Sequence, residues 1–317
     1  PLHRNGDSRV KWKRNKKINV VSTNEEIIRI CEEEAKKKKS HIPLGLIAVL
    51  LVALGTAGYF GFCLWHYYQE YQDDQKLYGD LREAVLQITD ESEQPEPSVS
   101  DSDTKRSQTK RKKDEPPFEV DWTALKEINE DIIGWVYFTG LPQISYPILQ
   151  AEDNAYYVNR TYDLSSDDSK AGSIFMDYRM ASDFSSPYSI IYGHNVRDGS
   201  MLSDLALLKD QKLYDEAPYF WILTPDGNYR YQIFSIFQCH RSADVFQRSF
   251  EQWGEDFSKW QSELQTRNSM QGDVNLAEYG HVIVFSTCVP DSFDRTIVCG
   301  TYIDGDPIPD PHGKSME

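Results

Sequence analysis

A possible nucleophile and a possible stabilising cation lie close together in the stretch HVIVFSTCVPDSFDRTIVCG, residues 281–300. Cys288 ends one apolar run, and Arg295 begins the next run after a loop of six residues. If this loop closes a hairpin, the two side chains lie at the ends of neighbouring strands, about 4.8 Å apart. A thiolate is a nucleophile, and a guanidinium is a permanent hydrogen-bond donor for a carbonyl oxygen or an oxyanion. The alternative is that Cys288 is a small buried apolar residue and Arg295 an ordinary loop charge.

A cysteine nucleophile needs a group that transfers protons, and histidine is the usual one. His281 lies seven residues before Cys288 in the same predicted strand. That separation is about 23 Å at about 3.3 Å per residue, which excludes His281 as the partner. His194 ends the apolar run YSIIYGH, and functional side chains are common at such strand ends. His194 is therefore the predicted partner, with a purely structural role as its alternative, and His240 is the second candidate.

The sequence gives little support to metal or nucleotide chemistry. It has no CxxC or HExxH motif, and its cysteines and histidines form no close cluster beyond Cys239–His240. It also has no P-loop and no GxGxxG motif. We therefore expect an enzyme that uses no metal and no other cofactor.

The segments that must position these residues are rich in β-branched and aromatic residues and are separated by turns, which predicts short strands. TPDGN, residues 224–228, is a hairpin signal between two of them. Helices are predicted after Asp121, which can cap the first one, and at residues 200–209 and 250–266. This pattern indicates a mostly-β fold, a closed or nearly closed β-barrel with inserted helices. The predicted strands are ISYPILQ, GSIFMD, YSIIYGH, YFWILT, YRYQIFSIFQC, HVIVFSTC and RTIVCGTYI.

A segment of 24 residues without charge, residues 42–65, is long enough to cross a bilayer as a helix. A run of lysines precedes it, and the aromatic cluster WHYY follows at its other end, as is typical of membrane interfaces. The positive-inside rule then places residues 1–41 in the cytoplasm and everything after the span outside the cell. A cleaved signal peptide and a buried helix of a soluble protein are the alternatives, although the leading segment is long for a signal peptide.

Composition divides the chain into five parts. Residues 1–41 are a basic cytosolic segment, and residues 42–65 are the transmembrane helix. Residues 66–117 are predicted to form a polar helix followed by a disordered linker outside the membrane. Residues 118–306 are predicted to be the folded domain, and 307–317 a short tail.

The net charge of −16 is distributed unevenly. The first 41 residues carry 12 Lys and Arg against 6 Asp and Glu, so the rest of the chain is strongly acidic. Phosphate binding needs a basic surface on the folded domain, which argues against nucleic acid as a partner.

In this topology the five cysteines lie in different compartments. Cys31 would be cytosolic and Cys63 within the membrane, so three remain outside, an odd number that leaves at least one free thiol. One alternative is a Cys239–Cys299 disulfide that leaves Cys288 free, and the other is three free thiols.

The motifs around these residues resemble those of the sortases, and among them class B. The order of His194, then Thr-Cys, then Arg295 is the specific part of the resemblance. It covers about residues 118–303, and a membrane anchor with a cytosolic N-terminus fits it. The matching segments are DIIGWVYF, ISYPILQAEDNAYYVNRTY, GSIFMDYR, SIIYGHN, FSTC and the helical insert 250–266.

The resemblance implies a sortase-type β-barrel and a cysteine transpeptidase on the outer face of a Gram-positive cell. The nucleophile of the family matches Cys288, its histidine His194 and its arginine Arg295. Cys288 would attack a Thr-containing sorting motif near the C-terminus of a secreted protein. The acyl group would then pass to an amine of the peptidoglycan cross-bridge or to a pilin lysine.

Three further residues are assigned to substrate binding by the same resemblance. Asn154 in EDNAYY and Ser286 in FSTC match positions that line the class B substrate groove, and Thr287 lies beside them. Structural roles are equal alternatives for these residues. For the whole protein the alternatives are a non-catalytic anchored binding or adhesion domain and a cysteine hydrolase with the same three residues.

Overall fold

The computed structural model describes residues 43–88, 115–248 and 252–306, except 273, 277–279 and 289–291, together with residues 28, 29, 32, 33 and 250. Nearly all of the predicted basic segment 1–41, most of the linker within 89–117, and the tail 307–317 lie outside these residues. The chain divides into two compact units between Leu64 and Trp65.

Short strands dominate the second unit. The strands of the described chain are β1 Leu86–Ile88, β2 Phe118–Val120, β3 Ile132–Phe138, β4 Leu141–Leu149, β5 Ile174–Met176, β6 Tyr188–Tyr192, β7 Tyr219–Thr224, β8 Gly227–His240, β9 Val282–Cys288 and β10 Asp294–Gly305. Every strand predicted from the sequence is present, and the predicted turn at 224–228 joins β7 to β8. β3 was not among the predicted strands, although its segment IIGWVYF is rich in β-branched and aromatic residues.

Eight of these strands close into a barrel, which confirms the predicted mostly-β fold. Their order around the barrel is β10-β8-β7-β3-β4-β5-β6-β9, with β9 returning to β10. The β4–β5 and β6–β9 pairs are parallel, and the other pairs are antiparallel. Because the two parallel strands β6 and β9 run in the same direction, their last residues lie at the same rim of the barrel.

Most of the described helices are short. In the described chain they are α1 Leu44–Val85, α2 Trp122–Ile128, α3 Gln211–Glu216 and α4 Glu255–Thr266, with 3-10 helices at Ser203–Lys209 and Asp244–Phe246. Asp121 caps α2 as predicted, because its carboxylate accepts a hydrogen bond of 2.9 Å from the amide of Ala124. The helix predicted at 200–209 is instead a 3-10 helix that begins at Ser203, and the one predicted at 250–266 begins at Glu255.

Stacked aromatic rings fill the barrel interior. The ring centroids of Phe138 and Phe285 lie 5.0 and 5.1 Å, respectively, from the ring centroid of their shared neighbour Phe220. Gly300, on β10, lies directly against that central ring, and a Cβ at this position would be only 2.2 Å from a carbon of Phe220. The interior is therefore packed tightly enough to require a residue without a side chain at this point.

The C-terminal part of α1 packs against the barrel domain. Tyr78, Leu81 and Val85 are buried, and the Tyr78 hydroxyl donates a hydrogen bond of 2.6 Å to the carbonyl of Gly172. β1 follows α1 directly and pairs with β2, so both ends of segment 89–117 are fixed side by side. The sequence predicted a polar helix in residues 66–117 that is separate from the folded domain. In the structure, the last turns of α1 pack against the barrel and belong to that domain.

The N-terminal part of α1 has a different character. Among the described helices, α1 is the one that is long and apolar enough to cross a membrane. Its large apolar side chains between Leu44 and Trp65 are exposed, as expected of a surface that lipid could cover. The helix is thus compatible with the predicted membrane anchor.

The predicted alternative of a Cys239–Cys299 disulfide is wrong, because both thiols are free. Cys299 on β10 lies opposite Ser235 on β8, which is four residues from Cys239. Four residues of a strand span about 13 Å, and a disulfide needs its two Cα atoms within about 7 Å. Burial raises the pKa of Cys239 to about 11 and that of Cys299 still further, so both remain protonated thiols near neutral pH.

Candidate active site

Three neighbouring strands bring the predicted catalytic residues to one rim of the barrel. On the antiparallel pair β9–β10, Cys288 lies directly opposite Arg295. On the parallel pair β6–β9, Tyr192 lies opposite Ser286, so His194 and Cys288 each follow that pair by two residues. The strand register therefore places Cys288 in the middle, with His194 on one side and Arg295 on the other.

The thiol and the guanidinium are in direct contact. Arg295 Nη1 donates a hydrogen bond of 3.0 Å to Cys288 Sγ, and both side chains are half-buried. The guanidinium keeps its charge at any pH that the protein would meet. A fixed positive charge at this distance stabilises negative charge on the sulfur, or on an oxygen bound next to it.

His194 is half-buried in the same groove as the thiol and is oriented by the backbone. Its Nε2 lies 2.7 Å from the carbonyl oxygen of Val158. Because a carbonyl can only accept, Nε2 must carry the proton of this hydrogen bond, which leaves Nδ1 to exchange protons. The carbonyl thus fixes both the position and the tautomer of the neutral ring.

Asn195 is a positioning residue that the sequence analysis did not assign. Its Nδ2 donates a hydrogen bond of 2.7 Å to the carbonyl oxygen of Cys288. The amide of Gly193 also donates to the carbonyl of Ser286, at 3.3 Å, so the chain after β6 is attached to the end of β9 at two points. The motif YGHN did contain the signal, because a polar side chain directly follows the candidate histidine.

A groove of about 380 Å³ opens at this rim and holds all three predicted catalytic residues. The charged side chains that line it in the described structure are both arginines, Arg241 and Arg295, although the chain as a whole is acidic. The guanidinium of Arg241 lies 4.7 Å from the ring centroid of Phe293. The lining residues are Asn154, Val158, Phe175, Tyr192, Gly193, His194, Arg241, Phe246, Ser286, Cys288 and Arg295.

The three predicted substrate-binding residues are placed differently. Asn154 and Ser286 line the groove, and the buried Ser286 hydroxyl has no hydrogen-bond partner among the described residues. Thr287 does not line it. Side chains alternate along a strand, so Thr287 shares the face of Phe285, whose ring packs inside the barrel. The assignment of Thr287 to substrate binding therefore gains no support from the groove lining and stays a prediction.

An ion pair between a buried carboxylate and a partly exposed guanidinium supports the groove. The Asp177 carboxylate is fully buried and accepts hydrogen bonds from Arg179 Nε at 2.9 Å and Arg179 Nη2 at 2.7 Å. The Tyr192 hydroxyl and Asn154 Nδ2 donate to the same carboxylate, at 2.9 and 3.0 Å. Burial alone would raise the pKa of Asp177, but the hydrogen bonds from Arg179, Tyr192 and Asn154 outweigh it and lower the pKa. Asp177 and Arg179 both lie in the segment MDYR, whose local pattern carries no sign of this buried carboxylate.

Two other histidines lie apart from the groove. His281 is fully buried, and its Nδ1 lies 2.9 Å from the Tyr231 hydroxyl. Burial lowers the pKa of His281 to about 3, so the ring stays neutral. His240 is exposed, and its Nδ1 lies 2.8 Å from the Ser242 hydroxyl. Neither ring lines the groove, which favours His194 over His240.

Sequence comparisons find relatives of known type. No protein-family model matches the chain. Sortase B of Listeria monocytogenes is 32% identical over 164 residues, which are 52% of this chain and 65% of that protein. Sortase B of Staphylococcus aureus is 29% identical over 181 residues, which are 57% of this chain and 70% of that protein. The chain thus spans just under two thirds of the length of the Listeria relative.

Solved structures agree with the sequence relatives. A crystal structure of Staphylococcus aureus sortase B superposes with a TM-score of 0.52 at 27% identity and covers 57% of this chain and 86% of that one. A Staphylococcus aureus sortase B–substrate complex gives 0.53 at 27% identity over 57% of this chain and 84% of that one. Sortase B from Bacillus anthracis in complex with AAEK1 shares the fold, with a TM-score of 0.59 at 22% identity over 75% of this chain and 99% of that one.

The closed barrel, the register of its rim and these similarities lead to one conclusion. The barrel domain of this chain is similar in sequence and in fold to class B sortases.

Proposed function

We propose that this chain is a membrane-anchored cysteine transpeptidase that cleaves a sorting motif near the C-terminus of secreted proteins. The observation that carries the proposal is the hydrogen bond of 3.0 Å from Arg295 Nη1 to Cys288 Sγ, in a groove that also holds His194. A domain that only binds a partner needs no nucleophile, proton carrier and fixed cation in one groove.

In the first half of the reaction, the Cys288 thiolate attacks the carbonyl carbon of the scissile peptide bond. A C–S bond forms, and the carbonyl oxygen takes up negative charge that Arg295 stabilises. When the C–N bond breaks, the protonated His194 ring gives its proton to the leaving amine. The product is a thioester on Cys288 and a free amine.

In the second half, an acceptor amine attacks the thioester carbonyl. His194, now neutral, takes the proton that the attacking amine loses as the new amide bond forms. Collapse of the oxyanion breaks the C–S bond and restores the thiolate beside Arg295. The acceptor is proposed to be a peptidoglycan cross-bridge amine or a pilin lysine.

Arg295 can stabilise the thiolate of the free enzyme and the oxyanion of the reaction intermediate, because these two groups are never charged at the same time. In the free enzyme its Nη1 donates to the sulfur. Once the sulfur is acylated it no longer carries a full charge, and the same guanidinium can turn to the oxyanion next to it. Ser286 offers its unpartnered hydroxyl to the bound peptide from the floor of the groove, and Asn154 lines a wall.

The proposed location follows from the charge pattern of the sequence. The lysines before the apolar part of α1 support a cytoplasmic location for residues 1–41, with the barrel on the outer face of the membrane. The substrates are therefore secreted proteins, and the acceptor is a component of the cell surface.

The test is to incubate the full chain in detergent micelles with a library of sorting-motif peptides and an amine. Intact mass spectrometry then follows the protein and the products. We expect a peptide acyl adduct on Cys288 that resolves onto the amine. An adduct that resolves only to water would make the protein a hydrolase. Peptide binding with no adduct would make it a non-catalytic binding domain.

A further inference from the structure

The Asp177–Arg179 ion pair takes no part in the thiol chemistry, yet it contacts several sides of the groove. Asp177 directly follows β5, and its amide donates a hydrogen bond of 2.8 Å to the carbonyl of Ile190 on β6. The carboxylate is completely buried, and Arg179 holds it with two parallel hydrogen bonds. Such a two-pronged contact fixes the orientation of both groups as well as their distance.

Three residues that line the groove depend on this pair for their position. Asn154, between β4 and β5, donates to Asp177 Oδ2 at 3.0 Å. Tyr192, at the end of β6, donates to the same oxygen at 2.9 Å. Arg179 Nη2 also donates to the backbone carbonyl of Phe246 at 2.9 Å, beyond β8. The pair therefore connects three separate parts of the chain that meet around the groove.

Asn154 is held on both sides of its carboxamide. Its Oδ1 accepts a hydrogen bond of 3.0 Å from the amide of Tyr178, while its Nδ2 donates to Asp177. The rings of Tyr192 and Phe246 stack with their centroids 6.4 Å apart. A shift of the carboxylate would thus move an amide and a stacked pair of rings together.

General stability is a weak explanation for such a pair. An ion pair with one partly exposed partner contributes little net stability, because solvent screens it. Its more distinctive effect is on geometry, because the buried carboxylate accepts hydrogen bonds from Arg179, Tyr192 and Asn154, and neutralising it weakens all of them together. Here the neighbours of the charge are groove residues.

We propose that the Asp177–Arg179 pair positions the peptide-binding walls of the groove and thereby controls peptide binding rather than the reactivity of the thiol. The inference rests on the proposed function, because it names residues that shape the site for the same sorting peptide. Asp177 and Arg179 are positioning residues and do not touch the reacting atoms.

The experiment compares Asp177→Asn with Asp304→Asn in the full chain. Asp304 pairs with Arg230 at 3.2 Å near the other end of β10, so its variant removes an ion pair away from the groove. KM and kcat are measured with a sorting peptide and an amine, and the thiol is titrated separately with iodoacetamide. We expect Asp177→Asn to raise KM about tenfold or more, since a hydrogen-bond network to a charged group is lost, while the alkylation rate of Cys288 stays within about twofold. Asp304→Asn should change neither.

A conservative variant and a measurement without substrate complete the test. Arg179→Lys keeps the charge but not the two-pronged contact, so its KM should lie between those of the wild type and Asp177→Asn. Hydrogen exchange of Asp177→Asn should rise together in the segments around Asn154, Tyr192 and Phe246.

Three results would overturn the inference. The first is an unchanged KM in folded Asp177→Asn, and the second is faster exchange confined to residues 177–179. The third is a fall in kcat and in the alkylation rate at constant KM, because the pair would then act on the thiol. If the wild type forms no adduct with any peptide but the three segments still loosen together, the proposed function fails while the positioning role stands.

Discussion

Strand β9 is flanked at its start by a histidine and ends at a cysteine, and these two ionisable side chains lie in opposite environments. At its beginning, His281 is fully buried against the Tyr231 hydroxyl, and burial lowers its pKa to about 3. At its end, Cys288 is half-buried beside an arginine and opens into a groove. Burial keeps the His281 ring neutral, whereas Cys288 lies next to a fixed cation and in the same groove as a second histidine. The surroundings of each side chain thus distinguish the inert end from the candidate active end.

The largest expected effect is at the groove end. Cys288→Ala should abolish both the acyl adduct and transpeptidation, because no other group in the mechanism forms the thioester. Its far-ultraviolet circular dichroism and melting temperature should match those of the wild type, since a half-buried side chain loses one atom. Intact mass and product analysis provide the measurement, and retained turnover would remove Cys288 from its proposed role.

The two rival histidines provide the next comparison. His194→Ala should reduce kcat/KM by about 10²–10⁴-fold, the usual loss when a general acid–base is removed. His240→Ala should be nearly silent, because its ring is exposed and bonded to Ser242 rather than placed in the groove. Steady-state kinetics of the two variants under the same conditions decide between them. If His240→Ala is the inactive one, the wrong histidine was chosen.

Substitutions of Arg295 test whether acylation needs only a positive charge or also the planar arrangement of guanidinium hydrogen-bond donors. Arg295→Ala should lower kcat by about 10²–10³-fold, comparable to the loss of an oxyanion donor. Arg295→Lys keeps the charge without the planar fork and should be intermediate. Single-turnover acylation rates give the measurement, with the Asp304→Asn variant as the control for loss of an ion pair elsewhere. Equal acylation rates for the wild type, Arg295→Ala and Arg295→Lys would contradict a role for Arg295 in acylation.

A substitution of His281 tests the buried start of β9, and we expect it to change the free energy of unfolding rather than the kinetics. Its pKa is depressed in the folded state, so below about pH 6.5 the unfolded chain binds a proton that the native chain does not. Stability from this group is therefore fully present above about pH 6.5 and is lost as the pH falls toward about 3, on the order of 5 kcal/mol in all. His281→Gln should flatten the pH dependence of urea unfolding in this window while leaving kcat and KM unchanged. An unchanged slope would show that His281 is not held neutral.

The smallest effects should separate two neighbouring hydroxyls near the end of β9. Ser286→Ala removes the unpartnered hydroxyl that lines the groove and should raise KM a few-fold. Thr287→Val should leave the kinetics unchanged, because its side chain faces the barrel interior. It should also slightly raise the free energy of unfolding, since the buried Thr287 hydroxyl has no partner among the described residues. If KM rises in Thr287→Val but not in Ser286→Ala, Thr287 rather than Ser286 faces the groove.

Local patterns in the sequence predicted much of the barrel. The strands follow from runs such as HVIVFSTC, and the hairpin follows from TPDGN. The helix after Asp121 follows from its cap. Even the contact between Cys288 and Arg295 was accessible, because a six-residue loop between antiparallel strands leaves few other arrangements.

Long-range register was not accessible in the same way. The parallel pairing of β6 with β9 places His194 beside Cys288, but their separation of 94 positions in the sequence carries no sign of it. Likewise, the letters MDYR do not show that Asp177 is buried under the groove, because burial depends on what the rest of the chain places above it. Thr287 illustrates a related limit, since a residue next to Cys288 in sequence faces the opposite side of the strand.

The packing of the last turns of α1 against the barrel, with β1 paired to β2, has a consequence for a chain that is cut. The segment between these strands is rich in lysine and arginine, including KRSQTKRKK, which trypsin can cleave. Tyr78, Leu81, Val85 and the β1–β2 hydrogen bonds all lie outside that segment and would survive the cut. The two fragments would therefore stay together as a non-covalent complex, so the helix and the barrel can be treated as complementing halves of one domain.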